Sequence, residues 1–187
     1  GDNAGEANII AGNTGQGLLI HQESGSDVFS ITNLVNSMYG NGQFGIDLAS
    51  DSDINSGTAD VDLGPNPINN NPITYPTNGF ANNYLNYPTL NSVSSAGNQL
   101  TVNYNFQANP VANSFPQLLP SNLVGYRLDF YLNDAGQDGA YAGHSQGKHH
   151  IGSFIVDGSE TNATHVFTSP VTPTNGQVVT ATATVLW

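Results

Sequence analysis

The chain has 187 residues, of which 37% are hydrophobic and only 9% charged, so its polarity comes mainly from Asn, Ser, Thr, Gln and Gly. Fourteen acidic residues against two basic ones give a formal charge of −12, which excludes the cationic clusters that nucleic acids and anionic membranes require. The absence of cysteine excludes disulfides, cysteine-based zinc sites and thiol catalysis.

This composition is typical of an all-β protein. The charged residues that cover helix surfaces are scarce, and 21 Gly and 10 Pro interrupt the chain. No stretch approaches the ~18 apolar residues of a membrane-spanning helix, so we expect no membrane insertion. Residues 1–5 show no signal peptide and look like a boundary within a longer protein, so we expect a fragment. The cysteine-free β composition fits a secreted, bacterial-type protein, which we expect to be extracellular or at the cell surface.

The first fifty residues contain an internal repeat, in which residues 8–20 match residues 36–48 without a gap. A period in the twenties of residues is typical of a solenoid. We therefore predict that residues 1–50 form the terminal coils of a right-handed parallel β-helix, with a further strand at residues 27–35. The predicted stacking pairs are Ile10 on Met38, Leu18 on Ile46, and Ile20 on Leu48, with Asn8 matching Asn36, Gly12 matching Gly40, Asn13 matching Asn41 and Gly17 matching Gly45.

Residues 51–88 are predicted to be a capping and linking segment, because an open solenoid end exposes apolar side chains and unpaired strand edges. An acidic stretch leads into this segment and favours a structural Ca²⁺ ion, which binds six to eight oxygen ligands. The spacing does not fit an EF-hand, and Asx-turns that cap a loop are the alternative. The candidate ligands are Asp47, Asp51, Asp53, Asn55, Asp60 and Asp62.

The same segment carries a set of aromatic residues among Asn and Pro. Such rings stack on the C–H faces of sugars, and nearby amides bind hydroxyl groups, so a glycan platform is one interpretation. The alternative is that the rings bury the solenoid end or a domain junction. The set consists of Tyr75, Phe80, Tyr84 and Tyr87.

Residues 89–187 are predicted to form an antiparallel, immunoglobulin-like β-sandwich. Apolar and polar residues alternate in several short runs that are separated by turn residues. We expect six or seven strands in all. The clearest runs are residues 100–106, 126–132, 150–156, 163–167 and 178–185.

Several short motifs in this order resemble a large family of bacterial right-handed β-helix repeat proteins that are exported or lie at the cell surface. The motifs are residues 41–48 (NGQFGIDL), 59–66 (ADVDLGPN), 86–90 (NYPTL), 129–131 (DFY), 152–153 (GS) and 179–184 (VTATAT). The resemblance implies a β-helix followed by a sandwich, in an adhesin-like or sugar-associated protein. The chain departs from the family pattern at residues 67–87 and 134–150.

Catalysis finds little support in the sequence. His149 and His150 are neighbours, which places them on opposite faces of a strand, so a shared zinc ion is disfavoured. A lyase would need cations beside its substrate, and only Arg127 and Lys148 are available. Two or fewer coils make a poor groove for the paired carboxylates of a hydrolase.

Our leading hypothesis is a non-enzymatic C-terminal cap and recognition module of a large exported β-helix protein. Its expected partner is a glycan or the surface of a host or neighbouring cell, and not a nucleic acid. The alternative is an accessory domain of a carbohydrate-active enzyme, a polysaccharide lyase or hydrolase, with its catalytic coils upstream. A purely structural spacer is the third interpretation.

Overall fold

The computed structural model describes residues 6–21, 31–49, 85–108, 125–136 and 146–186. All regular structure in these ranges is β, which confirms the predicted class. The strands are β1 (Ile9–Ala11), β2 (Leu18–His21), β3 (Ser37–Tyr39), β4 (Ile46–Ala49), β5 (Thr89–Ala96), β6 (Gln99–Phe106), β7 (Gly125–Asn133), β8 (His149–Val156), β9 (Glu160–Thr168) and β10 (Val178–Leu186).

Strands β1 to β4 form two parallel pairs, and their register confirms the predicted repeat. We call residues 8–21 the first coil and residues 36–49 the second coil. β1 pairs with β3 and sets Ile10 opposite Met38. β2 pairs with β4 and sets Leu18 opposite Ile46 and Ile20 opposite Leu48, which are the two other residue pairs that the repeat predicts.

The predicted strand at residues 27–35 is wrong for residues 31–35, the part of it that the structure describes. These five residues contain no strand. Val35 has a φ of +58°, a left-handed conformation that an extended strand cannot contain. Asn36 Nδ2 also donates to Asn33 Oδ1 at 2.6 Å, and such local amide bonds favour turns.

Strands β5 to β10 form two three-stranded antiparallel sheets, in the orders β5-β6-β9 and β10-β7-β8. Each of the five clearest runs that alternation predicts coincides with one of the strands β6 to β10. β5 was not among those runs. It is mostly exposed and rich in Ser, so it shows little of the apolar alternation on which such a prediction depends.

The two antiparallel sheets share one apolar core. Buried and half-buried residues alternate along β6 after its exposed first residue, as expected for a strand with one face inward. Across the core, the Tyr104 and Phe130 rings lie 5.4 Å apart, and the Phe106 and Tyr126 rings lie at the same distance. Phe130 also contacts Phe167 at 5.0 Å between ring centroids. These edge-on and tilted contacts fix how the sheets face each other.

β7 is buried on both of its faces, apart from partial exposure at Arg127. One face contributes Leu128, Phe130 and Leu132 to the core between the sheets. On the other face, Tyr131 hydrogen-bonds to the backbone of Val35, just before the second coil. The residue that leads into the second coil therefore contacts the outer face of the sheet that contains β7.

Candidate functional site

Side-chain amides join the two coils at both ends of the paired strands β1 and β3, and we call these amides together the amide ladder. Asn13 donates to Asn41 Oδ1 twice, from its backbone nitrogen at 3.2 Å and from its Nδ2 at 2.9 Å. Asn8 makes the same two bonds to Asn36 Oδ1, at 2.8 and 3.1 Å. At each step, the oxygen of the later residue accepts from the earlier one, so the ladder has a direction.

The ladder continues into a residue of the second part of the chain, Gln146. Gln146 Oε1 accepts from the Asn41 backbone nitrogen at 3.0 Å and from Asn41 Nδ2 at 2.8 Å, as Asn41 does for Asn13. Gln146 Nε2 then turns back and donates to the carbonyl oxygens of Asn41 at 2.8 Å and Gln43 at 2.7 Å. Asn41 is fully buried, so these bonds satisfy groups that water does not reach.

Gln146 to Lys148, which we call the cap segment, also covers the edge of β3. Gly147 accepts a bond from the Met38 backbone nitrogen at 2.9 Å, and the Lys148 carbonyl accepts from Ser37 Oγ at 2.6 Å. Lys148 Nζ lies 5.0 Å from the centre of the Tyr39 ring, a cation–π distance. The cap segment thus hydrogen-bonds to β3 through the Met38 N–H, whereas the Ser37 N–H of the same strand bonds to Asn8 of the first coil.

The antiparallel part holds the cap segment through Asn133, a fully buried residue at the end of β7. Asn133 Oδ1 accepts from the backbone nitrogens of Gly147 at 2.7 Å and Lys148 at 2.9 Å. Asn133 Nδ2 donates to Thr180 Oγ1 on β10 at 3.0 Å. One amide therefore ties the cap segment to two strands.

Asp134 gives the cap segment a second attachment. Lys148 Nζ donates to Asp134 Oδ2, and Gln177 Nε2 donates to Asp134 Oδ1 at 3.1 Å. The hydrogen bond from Lys148, helped by the Gln177 bond and the Lys148 charge, holds the pKa of Asp134 below its usual value. The pair is partly exposed, so its contribution to stability is small.

Glycines set the spacing between the coils and the cap segment. A Cβ on Gly17 would lie 2.7 Å from the Gly45 carbonyl oxygen, and a Cβ on Gly45 would lie 2.7 Å from that of Gln146. Real side chains do not approach a backbone oxygen so closely, so both steps depend on glycine. Gly17, Gly45 and Gln146 thus follow one another in a single stack, in which each backbone lies close to the next.

A buried ionic group lies on the outer face of β7. Arg127 donates to Asp129 from Nε and Nη2 at 3.1 Å, and His150 Nε2 lies 3.1 Å from the same carboxylate. Asp129 is fully buried. Burial, and then the Asp129 charge, raise the pKa of the adjacent Tyr131 despite opposing hydrogen bonds and the Arg127 charge. Because the charges are paired with one another, we interpret the group as structural.

Of the predicted calcium ligands, the structure describes Asp47 alone. Its side chain is nearly buried on β4, and its Oδ2 accepts from Gln16 Nε2 at 3.0 Å. Asp51, Asp53, Asn55, Asp60 and Asp62 lie outside the described residues. Within the described ranges, no three His, Asp or Glu side chains are grouped so as to hold a metal ion.

The aromatic set is described at one position. Tyr87 lies just before β5 and is half-buried, whereas Tyr75, Phe80 and Tyr84 lie outside the described ranges. Most of the predicted capping segment, residues 51–84, also falls outside them. The glycan platform therefore stays a prediction.

His149 and His150 bind different carboxylates, as neighbours on a strand should. His149 Nε2 lies 3.5 Å from Asp134 and His150 Nε2 lies 3.1 Å from Asp129. The sequence analysis marked residues 134–150 as a departure from the family pattern, but it did not find the role of Gln146. The only available signal was the pair Gln146-Gly147, which repeats the amide–glycine order of Asn41-Gly42.

The described residues include no helix with the length and apolar character needed to cross a membrane. Comparison with protein-family models, with curated proteins and with solved structures finds no match to this chain.

Proposed function

We propose that this chain is the C-terminal cap of a right-handed parallel β-helix, with an immunoglobulin-like β-sandwich as the capping domain. One observation carries the proposal: Gln146 occupies the next position of the amide ladder, after Asn13 and Asn41. The parallel register of the two coils and the two facing antiparallel sheets support it. In this role the chain is not an enzyme.

A cap is needed because the last coil of a solenoid leaves backbone donors and apolar side chains uncovered. In this chain the cap segment accepts the Met38 N–H and the Asn41 N–H. It also places Gln146 against the second coil without offering a further strand. The sandwich supplies this segment and fixes it through Asn133.

Replacement of the glutamine tests the cap. We expect Gln146→Ala to destabilise the protein by about 1–3 kcal/mol, because it removes the acceptor of the buried Asn41 backbone N–H and one of the two acceptors of the Asn41 side-chain amide. Hydrogen exchange should rise in β3 and β4 before it rises in β6 and β7. The readouts are denaturant unfolding and peptide-resolved hydrogen exchange.

Gln177→Ala is the matched control, because Gln177 also uses both ends of its amide, on Thr174 and Asp134, but lies outside the ladder. It should leave exchange in β3 and β4 unchanged. If β3 and β4 exchange hydrogen at the same rate in the Gln146→Ala variant and in the unmodified chain, Gln146 does not cap the second coil.

We also propose that the chain serves surface recognition in an extracellular or cell-surface protein, with a glycan as partner. The support is the family resemblance, the low content of charged residues, and the aromatic set that ends at Tyr87. A glycan array probed with the intact chain should give discrete signals that Tyr84→Ala/Tyr87→Ala abolishes. No signal on the array, with folding intact in the variant, would favour the structural spacer.

A further inference from the structure

We infer that Asn162 is an acceptor for N-linked glycosylation by a bacterial oligosaccharyltransferase. It lies in residues 160–164 (ETNAT), which we call the acceptor segment. The segment contains the sequon Asn-x-Ser/Thr, in which x is not proline, and the sequence contains no second such sequon. Glu160 provides the acidic residue, two positions before the asparagine, that bacterial transferases of this class read. The inference uses the proposed extracellular location, but not the cap or the aromatic set.

The acceptor asparagine lies in a β-bulge near the start of β9. Two residues of β9, Thr161 and Asn162, stand opposite one residue of β6, Asn105. Asn162 has a φ of +50°, a left-handed conformation that asparagine adopts more readily than most residues. Its side chain is exposed. The bulge therefore presents Asn162 at the surface of the folded protein.

Neighbouring asparagines hold the other polar atoms of Asn162. Asn105 Oδ1 accepts from the Asn162 backbone nitrogen at 2.8 Å, and Asn103 Nδ2 donates to the Asn162 carbonyl oxygen at 3.2 Å. Asn91 Nδ2 donates to Asn162 Oδ1 at 3.4 Å. Asn162 Nδ2, the atom that carries the sugar in an N-linked glycan, donates to no other described residue. The acceptor nitrogen is thus the one polar atom of Asn162 that the described fold leaves unused.

The surface around Asn162 suits a bulky, hydrated substituent. The outward side chains of β6 belong to Gln99, Thr101, Asn103 and Asn105, and none of their register partners on β5 and β9 is charged. Val35, which leads into the second coil, contacts the other sheet. A glycan on Asn162 therefore extends from the face of the sandwich that is turned away from Val35.

The folded protein uses the two groups by which a transferase reads the acceptor segment. Thr164 Oγ1 accepts from Asn103 Nδ2 at 3.0 Å, and Glu160 Oε2 accepts from the Tyr104 hydroxyl group at 2.8 Å. A transferase that binds this hydroxyl and this carboxylate must therefore act before β9 pairs with β6. The modification belongs to the unfolded chain, and the exposed bulge carries its product.

The reaction needs one co-reactant, an oligosaccharide linked to a lipid pyrophosphate. A bond forms between Asn162 Nδ2 and the anomeric carbon of the first sugar, while the bond from that carbon to the phosphate oxygen breaks. The lipid pyrophosphate leaves with the electron pair, and one amide proton passes to a base of the transferase. Nothing is oxidised or reduced. The chain contributes only the acceptor amide and the two groups that the transferase reads.

The test exports the full chain behind a signal peptide in a bacterium that supplies an oligosaccharyltransferase and its lipid-linked oligosaccharide. The result then does not depend on where the natural protein is located. We expect the intact mass to rise by one oligosaccharide, and peptide mapping to place it on Asn162. The positive control carries a second copy of residues 160–164 after Trp187, where the transferase can read it in an added tail.

Matched variants separate recognition from folding. Thr164→Val removes the hydroxyl group at nearly constant shape and should abolish the modification, whereas Thr164→Ser should keep it. Asn162→Gly allows the left-handed conformation of the bulge but has no acceptor amide. Glu160→Gln keeps an oxygen for the Tyr104 hydroxyl group and should abolish modification by a transferase that requires the acidic residue.

Two results of the mass measurement overturn the inference. One is modification of the tail copy while Asn162 stays unmodified, and the other is that neither copy is modified. The glycosylated chain should also melt at the same temperature as the unmodified chain and keep the same hydrogen exchange in β6 and β7, and a glycosylated chain that fails to fold equally overturns it. The cap is tested separately, by exchange in β3 and β4 of the Gln146→Ala variant, and the glycan array tests surface recognition.

Discussion

Side-chain amides make the contacts at which the two parts of this molecule meet. Asn41, Gln146 and Asn133 each use both their oxygen and their nitrogen, and together they connect a parallel coil, the cap segment and a β-strand. Asn41 and Asn133 are fully buried. An amide suits this position because it donates and accepts without the desolvation cost of a charge.

The phenol of Tyr104 is a second buried polar group, in the core between the sheets. Its hydroxyl group donates to Glu160 Oε2 at 2.8 Å. Burial, and then the hydrogen bond and charge of Glu160, raise the pKa of Tyr104 well above its usual value near 10. A raised pKa means that the folded state favours the neutral phenol. The resulting stabilisation is complete below the unfolded pKa and is lost as the pH rises through the folded one.

We therefore expect the difference in unfolding free energy between the unmodified chain and Tyr104→Phe to shrink between pH 8 and pH 11. At pH 8 the chain should be more stable than the variant by about 1 kcal/mol, the usual value of one hydrogen bond. The other tyrosines are present in both proteins and cancel in the comparison. Denaturant unfolding at the two pH values measures the change, and a constant difference would contradict the assigned pKa direction.

At the scale of elements, the short parallel strands depend on close approach of successive backbones. β1 has three residues and β2 has four, so few main-chain hydrogen bonds hold each pair. Parallel strands lie about 4.8 Å apart, and a side chain that points along the stack does not fit in that space. Gly17 and Gly45 keep this space free in two successive steps.

Gly17→Ala should destabilise the coils, since its Cβ would meet the Gly45 oxygen at 2.7 Å and the Asn41 amide nitrogen at 2.9 Å. We expect a loss of about 2 kcal/mol or more, within the range for overpacking. Gly15→Ala is the control in the same coil, because its nearest neighbour, Gln43 Oε1, would be 3.6 Å away. Thermal unfolding with exchange in β1 to β4 measures both variants. If Gly17→Ala and Gly15→Ala destabilise the coils equally, the close backbone approach at Gly17 is not the cause of the destabilisation.

At the scale of the whole molecule, the main question is what balances a charge of −12. Lys148 pairs with Asp134 and Arg127 with Asp129, so both basic side chains of the chain already have acidic partners. The remaining carboxylates include the predicted calcium ligands. A divalent cation is the natural counter-ion for them.

We expect EDTA to lower the melting temperature of the chain and Ca²⁺ to restore it. At a concentration one hundred times its dissociation constant, an ion that binds only the folded state adds about 2.7 kcal/mol. For a chain of this size, such a loss corresponds to a shift of roughly 5–10 °C. Asp60→Ala/Asp62→Ala should remove the sensitivity to EDTA. An identical melting curve with and without EDTA would contradict the calcium site that the sequence predicts.

The repeat and the alternation of apolar and polar residues were enough to predict much of the fold. The match of residues 8–20 with residues 36–48 predicted the register of Ile10, Leu18 and Ile20 on the second coil. Period-two alternation located β6 to β10. It failed at residues 31–35, where the positive φ of Val35 overrides the preference of a β-branched residue for strands.

The sequence by itself determined the all-β class, the stacking of the two coils and the positions of most strands. All of these depend on side-chain periodicity and repeat spacing within a few dozen residues. Only the tertiary structure showed which residue bonds to Asn41, because Gln146 lies 105 residues from Asn41 and outside the matching segments 8–20 and 36–48. A hydrogen bond between distant residues leaves no periodic trace in the sequence, since one side chain of the right length in the right place suffices.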